Sequence, residues 1–331
     1  MSCSRATAVQ LAAAVSDEAV SVRGLVKDFP GVRAIDHLSF DVEAGEIFGI
    51  VGPDGAGKTT TMRILAGVLT PGAGSASIAG HDVGADPETV KHLISYMPQR
   101  FGLYEDLTVD ENIRFYADLF GIRKVDREAR ASELLKACGM SEFRSRAAGK
   151  LSGGMKQKLG LVCALIHTPR VLLLDEPTNG VDPVSRREFW AMLYSLVGQG
   201  VTIVNSTAYL DEAERCHRIA LLHQGRLLFC DTPAHLKSQL SGAVVSIVSP
   251  EARRVRDELA SADGVSSLVL VGDAVHLFVD DAELRMPALA ARLSAHEIPF
   301  DEIHRVTPTI EDLFVEAVRK DSSDVAQELR S

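Results

Sequence analysis

The residues from Gly52 to Thr60 have the types and the spacing that bind nucleotide phosphates. The pattern G-x-x-x-x-G-K-[ST] is matched by Gly52, Pro53, Asp54, Gly55, Ala56, Gly57, Lys58 and Thr59, and Thr60 follows it. Glycines let backbone N–H groups approach an anion, the lysine neutralises phosphate oxygens, and the threonine hydroxyl ligates Mg²⁺. The alternative is a plain glycine-rich turn, and the strand before and the helix after the loop argue against it. We therefore predict that this loop binds Mg²⁺-ATP.

Two acidic residues follow a second apolar run further along the chain. Val171 to Leu174 has the composition of a buried strand, and Asp175 and Glu176 stand at its end. Ligands of open α/β sheets bind at the carboxyl ends of the strands. We expect Asp175 to hold Mg²⁺, directly or through water, and Glu176 to polarise the attacking water. The alternative is a pair of solvated acids after a core strand, which the upstream phosphate loop argues against.

A second anion-binding helix end is predicted between these two motifs. Its residues are Leu151, Ser152, Gly153, Gly154, Met155, Lys156 and Gln157. Ser152 is a good N-cap, and the two glycines that follow again allow close approach of the backbone. An ordinary capped helix is an equally good interpretation on physical grounds alone. One nucleotide needs only one phosphate loop, so a second such site requires a reason.

The three motifs in this order resemble those of the ATP-binding-cassette (ABC) ATPases, and the resemblance covers residues 20–235. In that family two nucleotide-binding domains face each other head to tail, and the LSGG motif of one chain closes over the ATP of the other. The resemblance therefore implies that Ser152, Gly153 and Gly154, with Gln157, contact a γ-phosphate held by a second chain.

Three further positions match the family's motifs. Phe29, in VKDF, corresponds to the aromatic that stacks on adenine, although a buried strand aromatic is the alternative. Gln99, in YMPQ, corresponds to the glutamine that senses Mg²⁺ and the γ-phosphate and links the catalytic core to the helical subdomain. Asp182, in NGVDP, corresponds to the aspartate of the dimer interface.

The sequence departs from the family pattern at two positions. Asp54 stands where the family usually has Asn, and a carboxylate facing a polyanion is unfavourable unless it points away or pairs with a cation. Ala208 stands where the family usually has a histidine that contacts the γ-phosphate. Alanine donates no side-chain hydrogen bond, so one transition-state contact is missing. We therefore hypothesise that the chain binds ATP well and hydrolyses it slowly, although Glu176 is intact.

Strands alternate with helices in a way that predicts an α/β fold with a parallel sheet. Strands are predicted at residues 20–29, 33–43, 46–51, 171–174, 201–204 and 219–222, with a hairpin turn at Gln224-Gly225. Helices are predicted at residues 111–120, 127–138, 155–166, 184–197 and 209–214. The resemblance implies a P-loop nucleotide-binding domain at residues 20–238. That domain would have a mixed-sheet core, an antiparallel β subdomain and a helical subdomain at about 88–165.

The pattern changes after about residue 240. The order is strand 243–248, helix 250–262, strand 265–271, strand 274–279, helix 284–295, strand 299–305 and helix 309–319. The order βαββαβ predicts a small α+β ferredoxin-like accessory domain at residues 240–320, with an added helix. Residues 1–19 are predicted to form a flexible extension, and residues 321–331 a tail.

Composition and charge argue against several functions, namely nucleic-acid binding, zinc or redox chemistry at cysteines, and membrane crossing. The net charge of −10 disfavours binding to nucleic acid. The five cysteines, at positions 3, 138, 163, 216 and 230, include no C-x-x-C pair, so neither a zinc site nor a redox motif is predicted. Cys163 lies in an apolar helical pattern and is expected to be a core residue. No segment has 18 uninterrupted apolar residues, so the chain is not expected to cross a membrane itself.

Three segments make the chain similar to the ATPase subunits of ABC-2-type exporters of the daunorubicin and multidrug class. They are LTVDENIRFYADLFG after Gln99, YLDEAE from Tyr209, and PTIEDLF from Pro308. The pairing of Asp54 with the missing histidine is similar to the first half of tandem two-ATPase exporter subunits. The resemblance implies ATP hydrolysis coupled to export, with ATP and Mg²⁺ as cofactors.

The same resemblance implies partners and a location. The partners are a separate ABC-2-type permease, a second ABC ATPase in a homodimer or an asymmetric heterodimer, and a periplasmic adaptor subunit. The location is cytoplasmic, on the inner face of the cell membrane through the permease. Two alternatives remain open: a soluble ABC ATPase outside transport, and a regulatory nucleotide-binding subunit with slow hydrolysis. The transported substrate cannot be read from this chain.

Overall fold

The structure, a computed structural model, describes residues 18–100, 102–240 and 242–328. The predicted flexible extension thus lies outside the described residues except for Glu18 and Ala19, and the last part of the predicted tail lies outside them as well. Within the described ranges, no helix is long and apolar enough to span a bilayer.

The described elements follow one another in an α/β order. In chain order they are β1 (Glu18–Phe29), β2 (Val32–Glu43), β3 (Ile47–Val51), α1 (Lys58–Leu65), β4 (Ala73–Ile78), β5 (His81–Asp82), α2 (Pro87–Leu93), β6 (Ile94–Met97), α3 (Val109–Leu119), α4 (Lys124–Ala137), α5 (Gly153–Leu165), β7 (Val171–Asp175), α6 (Pro183–Val197), β8 (Thr202–Thr207), α7 (Leu210–Ala213), β9 (Arg218–His223), β10 (Arg226–Asp231), α8 (Pro233–Ser238), β11 (Ala243–Val248), α9 (Ala252–Leu259), β12 (Val265–Val271), β13 (Ala274–Val279), α10 (Ala282–Ala295), β14 (Glu302–Val306) and α11 (Ile310–Glu328).

A six-stranded sheet forms the centre, in the order β10-β9-β3-β8-β7-β6. Its strands are parallel except for the β9–β10 hairpin. Strands β3 and β7 are buried along their whole length, as expected where a parallel sheet is covered on both faces. Because β3, β7 and β8 run in the same direction, the loops after Val51, Asp175 and Thr207 emerge at one edge of the sheet.

An antiparallel sheet in the order β2-β1-β4-β5 covers one face of this core. Pro30 and Gly31 form the predicted turn between β1 and β2, with Phe29 paired to Val32. Side chains of β1, β2 and α1 pack against the central sheet in one apolar layer that includes Leu25, Ile35, Phe48 and Met62. The antiparallel sheet therefore holds the phosphate loop against the core.

Helices α3, α5 and α6 cover the other face. Ile113, Leu161 and Trp190 are buried there against side chains of the central sheet such as Leu174. Cys163 is buried in the same layer, as predicted, and burial raises the pKa of its thiol. Two apolar layers thus sandwich the central sheet.

The prediction of a mostly helical stretch from 88 to 165 is wrong at Ile94–Met97. These residues form β6, which pairs in parallel with β7 at the edge of the central sheet. The run is only four residues long and directly follows α2, so its apolar residues fit a helical pattern equally well. Strands β4 and β5 were also missed, and β4 pairs with β1 across the antiparallel sheet.

The chain after residue 242 forms a separate four-stranded antiparallel sheet, in the order β12-β13-β11-β14. The order of its elements, βαββαβ followed by α11, is the predicted one. Val245, Val255, Leu277 and Leu293 form the buried layer between this sheet and helices α9 and α10. Helix α11 contributes Ile310 and Leu313 to the apolar layer of the nucleotide-binding part instead.

Candidate functional site

Gly57 allows the phosphate loop to turn directly into α1. It lies at the N-cap of this helix with φ of 102°, in the left-handed region. A Cβ at this position would lie 2.6 Å from the carbonyl oxygen of Ala34. Any other residue would be both strained and in collision. The resulting tight loop leaves N–H groups at the start of α1 free of helical partners and able to face an anion.

The ammonium group of Lys58 lies inside the loop, and only 4% of the residue is exposed. Its Nζ donates to the carbonyl oxygens of Gly52 at 2.8 Å and Pro53 at 3.0 Å, and it lies 3.1 Å from Oε1 of Glu176. Phosphate oxygens would compete with these acceptors. The side chain of Asp54 is 95% exposed, and its Oδ1 lies 4.0 Å from Nζ, at the limit of an ion pair with this cation.

Asp175 is a buried carboxylate that accepts hydrogen bonds from three hydroxyl groups. Its Oδ1 accepts from Oγ1 of Thr59 at 3.0 Å and from Oγ of Ser206 at 2.7 Å, and its Oδ2 accepts from the hydroxyl of Tyr96 at 3.2 Å. Burial and the charge of Asp175 raise the pKa of Tyr96 to about 12, so the phenol remains a donor. All three donors are neutral, so they leave the negative charge of Asp175 uncompensated.

Glu176 lies beside Asp175 in a strained backbone conformation, with φ of 50°. Its N–H donates to the carbonyl oxygen and to Oγ of Ser206, both at 3.1 Å. Its Oε2 accepts from the amides of Gln99 at 2.9 Å and Asn179 at 3.4 Å, while Oε1 faces Lys58. The carboxylate is thus oriented from both sides.

Ala208 is exposed and follows β8 directly. It borders a cavity of about 230 Å³ whose other lining residues are Asp54, Glu176, Thr178, Asn179, Thr207 and Tyr209. The cavity contains the carboxylate expected to act on water. The position of the missing histidine is therefore adjacent to the predicted reaction centre.

The fully buried carboxylate of Glu212, in α7, lies behind this cavity. It accepts from Oγ1 of Thr178 at 2.6 Å and from Oγ1 of Thr207 at 2.8 Å. Arg186 of α6 lies 3.5 Å away and forms an ion pair with it. Glu212 therefore joins the loop after β7, the end of β8 and the start of α6.

The predicted second anion site lies at the N-terminus of α5. Ser152 caps this helix by accepting from the N–H of Met155 at 3.3 Å. Ser152 and Gly153 are exposed, and a Cβ on Gly153 would meet nothing within 4 Å. Gly154 is buried, and a Cβ there would lie 2.4 Å from Oγ of Ser185. In this chain Gly154 is therefore needed for packing of α5 on α6.

Asp182 caps α6 and lies close to that contact. Its Oδ1 accepts from the N–H groups of Val184 at 3.1 Å and Ser185 at 3.0 Å. These hydrogen bonds lower the pKa of Asp182, and the bond from Ser185 has the largest effect. Gln157, one turn into α5, is half-buried. The two predicted interface motifs are thus neighbours through the N-termini of α5 and α6.

The aromatic ring of Phe29 stands at the end of β1 and is 43% exposed. The Nζ of Lys27 lies 5.5 Å from its centroid. The alternative of a buried strand aromatic is therefore wrong, and adenine stacking stays a prediction.

Five polar residues around the site were not predicted from the sequence. They are Tyr96, Asn179, Ser206, Tyr209 and Glu212. Asn179 follows Glu176 by three residues and could have been found from that position. The others lie on different elements, and only the fold brings them to the acids.

Sequence comparison supports this assignment of the loops. The family model described as ABC transporter matches residues 35–179. The chain is 42% identical over 307 residues to the probable multidrug ABC transporter ATP-binding protein YbhF of Escherichia coli, a match that covers 91% of this chain and 52% of YbhF. The chain thus spans about half the length of that curated relative.

Two shorter relatives match over most of their own length. The daunorubicin/doxorubicin resistance ATP-binding protein DrrA of Streptomyces peucetius is 38% identical over 84% of this chain and 86% of its own. The Nod factor export ATP-binding protein I of Burkholderia thailandensis is 35% identical over 90% of this chain and 96% of its own.

Solved structures agree with the sequence comparison. The ATP-binding subunit of an ABC transporter superposes with a TM-score of 0.61 at 31% identity, over 66% of this chain and 92% of that one. CbiO1 of Clostridium perfringens has the same fold, with a TM-score of 0.63 at 22% identity over 75% of this chain and 96% of its own. The chain therefore belongs to the ABC transporter family, among its ATP-binding proteins.

Proposed function

We propose that this chain is the ATP-binding and ATP-hydrolysing subunit of an ABC-2-type membrane exporter. The observation that carries the proposal is the convergence of Lys58, Thr59, Asp175 and Glu176, with Lys58 and Glu176 3.1 Å apart and Thr59 and Asp175 3.0 Å apart. A buried cation and two buried carboxylates at the end of parallel strands match the needs of phosphoryl transfer.

Mg²⁺ fits the residues around Asp175. The carboxylate is 1% exposed, and its hydrogen-bond donors are the neutral hydroxyls of Thr59, Tyr96 and Ser206. A buried negative charge without a compensating cation is unfavourable, and oxygen ligands of this kind suit a hard cation. Thr59 and Asp175 would hold the ion, with Gln99 as a third ligand. When bound, it would neutralise charge on the phosphates.

Glu176 would act on the attacking water. Gln99 and Asn179 hold its Oε2, so the carboxylate has a fixed direction before ATP arrives. Phosphate binding would draw Lys58 from Oε1 of Glu176 and leave that oxygen to accept a proton from water.

We further propose that hydrolysis uses a site shared between two ATPase chains. Ser152 and Gly153 are exposed at the N-terminus of α5, where a helix end can meet a phosphate of the facing chain. Gly154 and Gln157 belong to the same motif, and Asp182 would lie at the same interface. The partner ATPase is either a second copy or a different subunit.

The names of the relatives support the exporter class. YbhF is named for multidrug transport, DrrA for daunorubicin and doxorubicin resistance, and the third for Nod factor export. We propose that this chain likewise works with an ABC-2-type permease on the cytoplasmic face of the membrane, with a periplasmic adaptor. An ABC ATPase outside transport and a slow regulatory subunit are less well supported by these relatives.

We also propose boundaries for the two parts of the chain. The nucleotide-binding domain would span residues 20–238, with the helical subdomain predicted at about 88–165 beginning after β6, which belongs to the central sheet. The accessory domain would span 240–320 and be ferredoxin-like. Its support is the antiparallel order β12-β13-β11-β14 together with the βαββαβ succession.

ATP turnover and ATP binding, measured on the purified chain, test the proposal. Glu176→Gln should abolish most turnover and retain ATP binding, because the amide cannot accept the proton of water. Lys58→Ala should weaken binding itself, because the phosphates lose their buried cation. Turnover that survives Glu176→Gln unchanged would reject Glu176 as the catalytic base.

A further inference from the structure

Asn179 joins the catalytic carboxylate to a phenol on the other side of the cavity. Its Nδ2 donates to Oε2 of Glu176 at 3.4 Å, and its Oδ1 accepts from the hydroxyl of Tyr209 at 3.3 Å. Because the phenol holds Oδ1, the amide is turned with Nδ2 toward the carboxylate. Both bonds are long, as hydrogen bonds at a catalytic site often are before substrate binds.

Tyr209 is itself held in place. The guanidinium carbon of Arg186 lies 4.3 Å from the ring centroid, and the N–H of Tyr209 donates to Oγ1 of Thr207 at 3.0 Å. Buried Glu212 fixes both supports, through an ion pair at 3.5 Å with Arg186 and a hydrogen bond at 2.8 Å with Thr207. These contacts therefore hold the hydroxyl of Tyr209 in a fixed position beside Asn179.

Ala208 offers no polar side-chain atom to this wall of the cavity. Besides Glu176, the polar residues that line the cavity are Asp54, Thr178, Asn179, Thr207 and Tyr209. Among these five, Asn179 is the one whose side chain donates a hydrogen bond to Glu176. A histidine at position 208 would border the same space.

We infer that Asn179 and Tyr209 are positioning residues for Glu176, on the wall of the cavity where Ala208 supplies no polar side chain. The inference rests on the proposed function, because Glu176 must be the catalytic base. The hydroxyl of Tyr209 orients the amide, the amide orients the carboxylate, and the carboxylate aligns the water. Neither residue needs to touch ATP.

Asn179→Asp tests the first link. It keeps the size of the side chain and an acceptor for Tyr209, but it replaces the donor to Glu176 by a carboxylate. The kcat should fall at least about 10-fold, because a hydrogen bond to a charged group is lost and a second carboxylate faces Glu176. Asn179→Ala should lower kcat no further than Asn179→Asp does, and it should leave KM and ATP affinity unchanged. A residue that only fills space would tolerate the isosteric Asp and be damaged by Ala.

Tyr209→Phe tests the second link. It should lower kcat about 3- to 10-fold, because a neutral hydrogen bond is lost while the ring and its contact with Arg186 remain. Tyr194→Phe is the matched control, since the hydroxyl of Tyr194 donates to the carbonyl oxygen of Arg215 away from the site. It should leave kcat unchanged.

Tyr209→Phe in an Ala208→His background tests whether the two positions act separately. The substitution should again cost about 3- to 10-fold in kcat, because the histidine would act on the γ-phosphate whereas Tyr209 acts on Glu176 through Asn179. A loss below about 2-fold in that background would overturn the separate role of Tyr209, and an unchanged kcat in Asn179→Asp and Tyr209→Phe would overturn the positioning role. A wild-type chain whose turnover is insensitive to Glu176→Gln would instead reject the proposed function itself.

Discussion

At the scale of single residues, the site contains buried charges and backbone strain that are unfavourable for folding. Lys58, Asp175 and Glu176 are all buried, and burying charges costs more than their pairing returns. Glu176 also has φ of 50°, a conformation that costs on the order of 1 kcal/mol for a residue other than glycine. Strain and buried charge at one point are typical of a site kept for chemistry.

Ala208 limits the rate in our interpretation. Ala208→His should raise kcat, by up to about 10²-fold, because it restores a donor to the developing charge. The residue is exposed and borders a cavity of about 230 Å³, so the imidazole has room without repacking. ATP turnover of the two proteins at saturating Mg²⁺-ATP is the measurement, and Ala208→Leu is the control, because leucine adds bulk without a hydrogen-bond donor and should not raise kcat. A wild-type rate typical of the family and unchanged by histidine would refute the hypothesis.

At the scale of secondary-structure elements, the N-terminal ends of helices α5 and α6 lie in contact. The N-terminus of α5 carries Ser152, Gly153 and Gly154, and that of α6 carries Asp182 and Ser185. Gly154 is in contact with Ser185, so the two predicted interface motifs form one rigid unit. A change at one helix end must therefore move the other.

Gly154→Ala should destabilise this contact. The new Cβ would lie 2.4 Å from Oγ and 2.6 Å from Cβ of Ser185, and that Cβ is held by the backbone of α6. The expected loss is about 1–3 kcal/mol, that of overpacking, measured by urea unfolding. Gly153→Ala is the control, because its Cβ meets nothing within 4 Å. Its stability should equal or exceed that of the wild type, as alanine is the better helix former.

Ser185→Gly should restore much of the stability lost in Gly154→Ala, since it removes both clashing atoms. Equal stability of the Gly153 and Gly154 variants would contradict the packing explanation.

Helix α11 connects the two parts of the molecule. Ile310 and Leu313 are buried in the apolar layer of the nucleotide-binding part, and the N–H of Ile310 donates to Oε1 of Glu214 at 3.3 Å. Asp312 of the same helix contacts the accessory sheet, because its Oδ1 lies 3.2 Å from Nδ1 of His276 in β13. The accessory sheet is thereby connected through α11 to Glu214, the residue that follows α7.

The contribution of this contact between α11 and β13 to the stability of the fold should depend on pH, because it involves the carboxyl group of Asp312. Burial by itself raises the pKa of this carboxyl, but hydrogen bonds from His276 and Thr309 outweigh it and hold the pKa below its usual value. A lowered pKa stabilises the folded state above about pH 4, the value of an unfolded aspartate, and this contribution is lost as pH falls through the folded-state pKa.

Asp312→Asn should lower the urea midpoint at pH 7, and its deficit should shrink as pH falls from 5 to 3. Asp273→Asn, in the exposed turn between β12 and β13, should follow the wild type throughout. A constant deficit of Asp312→Asn at all pH values would exclude the charge of Asp312 as the cause.

The sequence by itself determined the local motifs. The phosphate loop, the strand ending in Asp175 and Glu176, and the capped end of α5 depend on neighbouring residues, because backbone conformation and apolar runs are local properties. The succession of strands and helices after residue 242 was predicted for the same reason.

Only the tertiary structure decided which distant residues meet. Ile94–Met97 is a strand because β7 lies beside it, and no local signal separates it from the helical pattern around it. Asn179 and Tyr209 are 30 residues apart, and their hydrogen bond exists because parallel β7 and β8 end at the same edge of the sheet. Spacing along the chain cannot encode such contacts, since they follow from strand order and register.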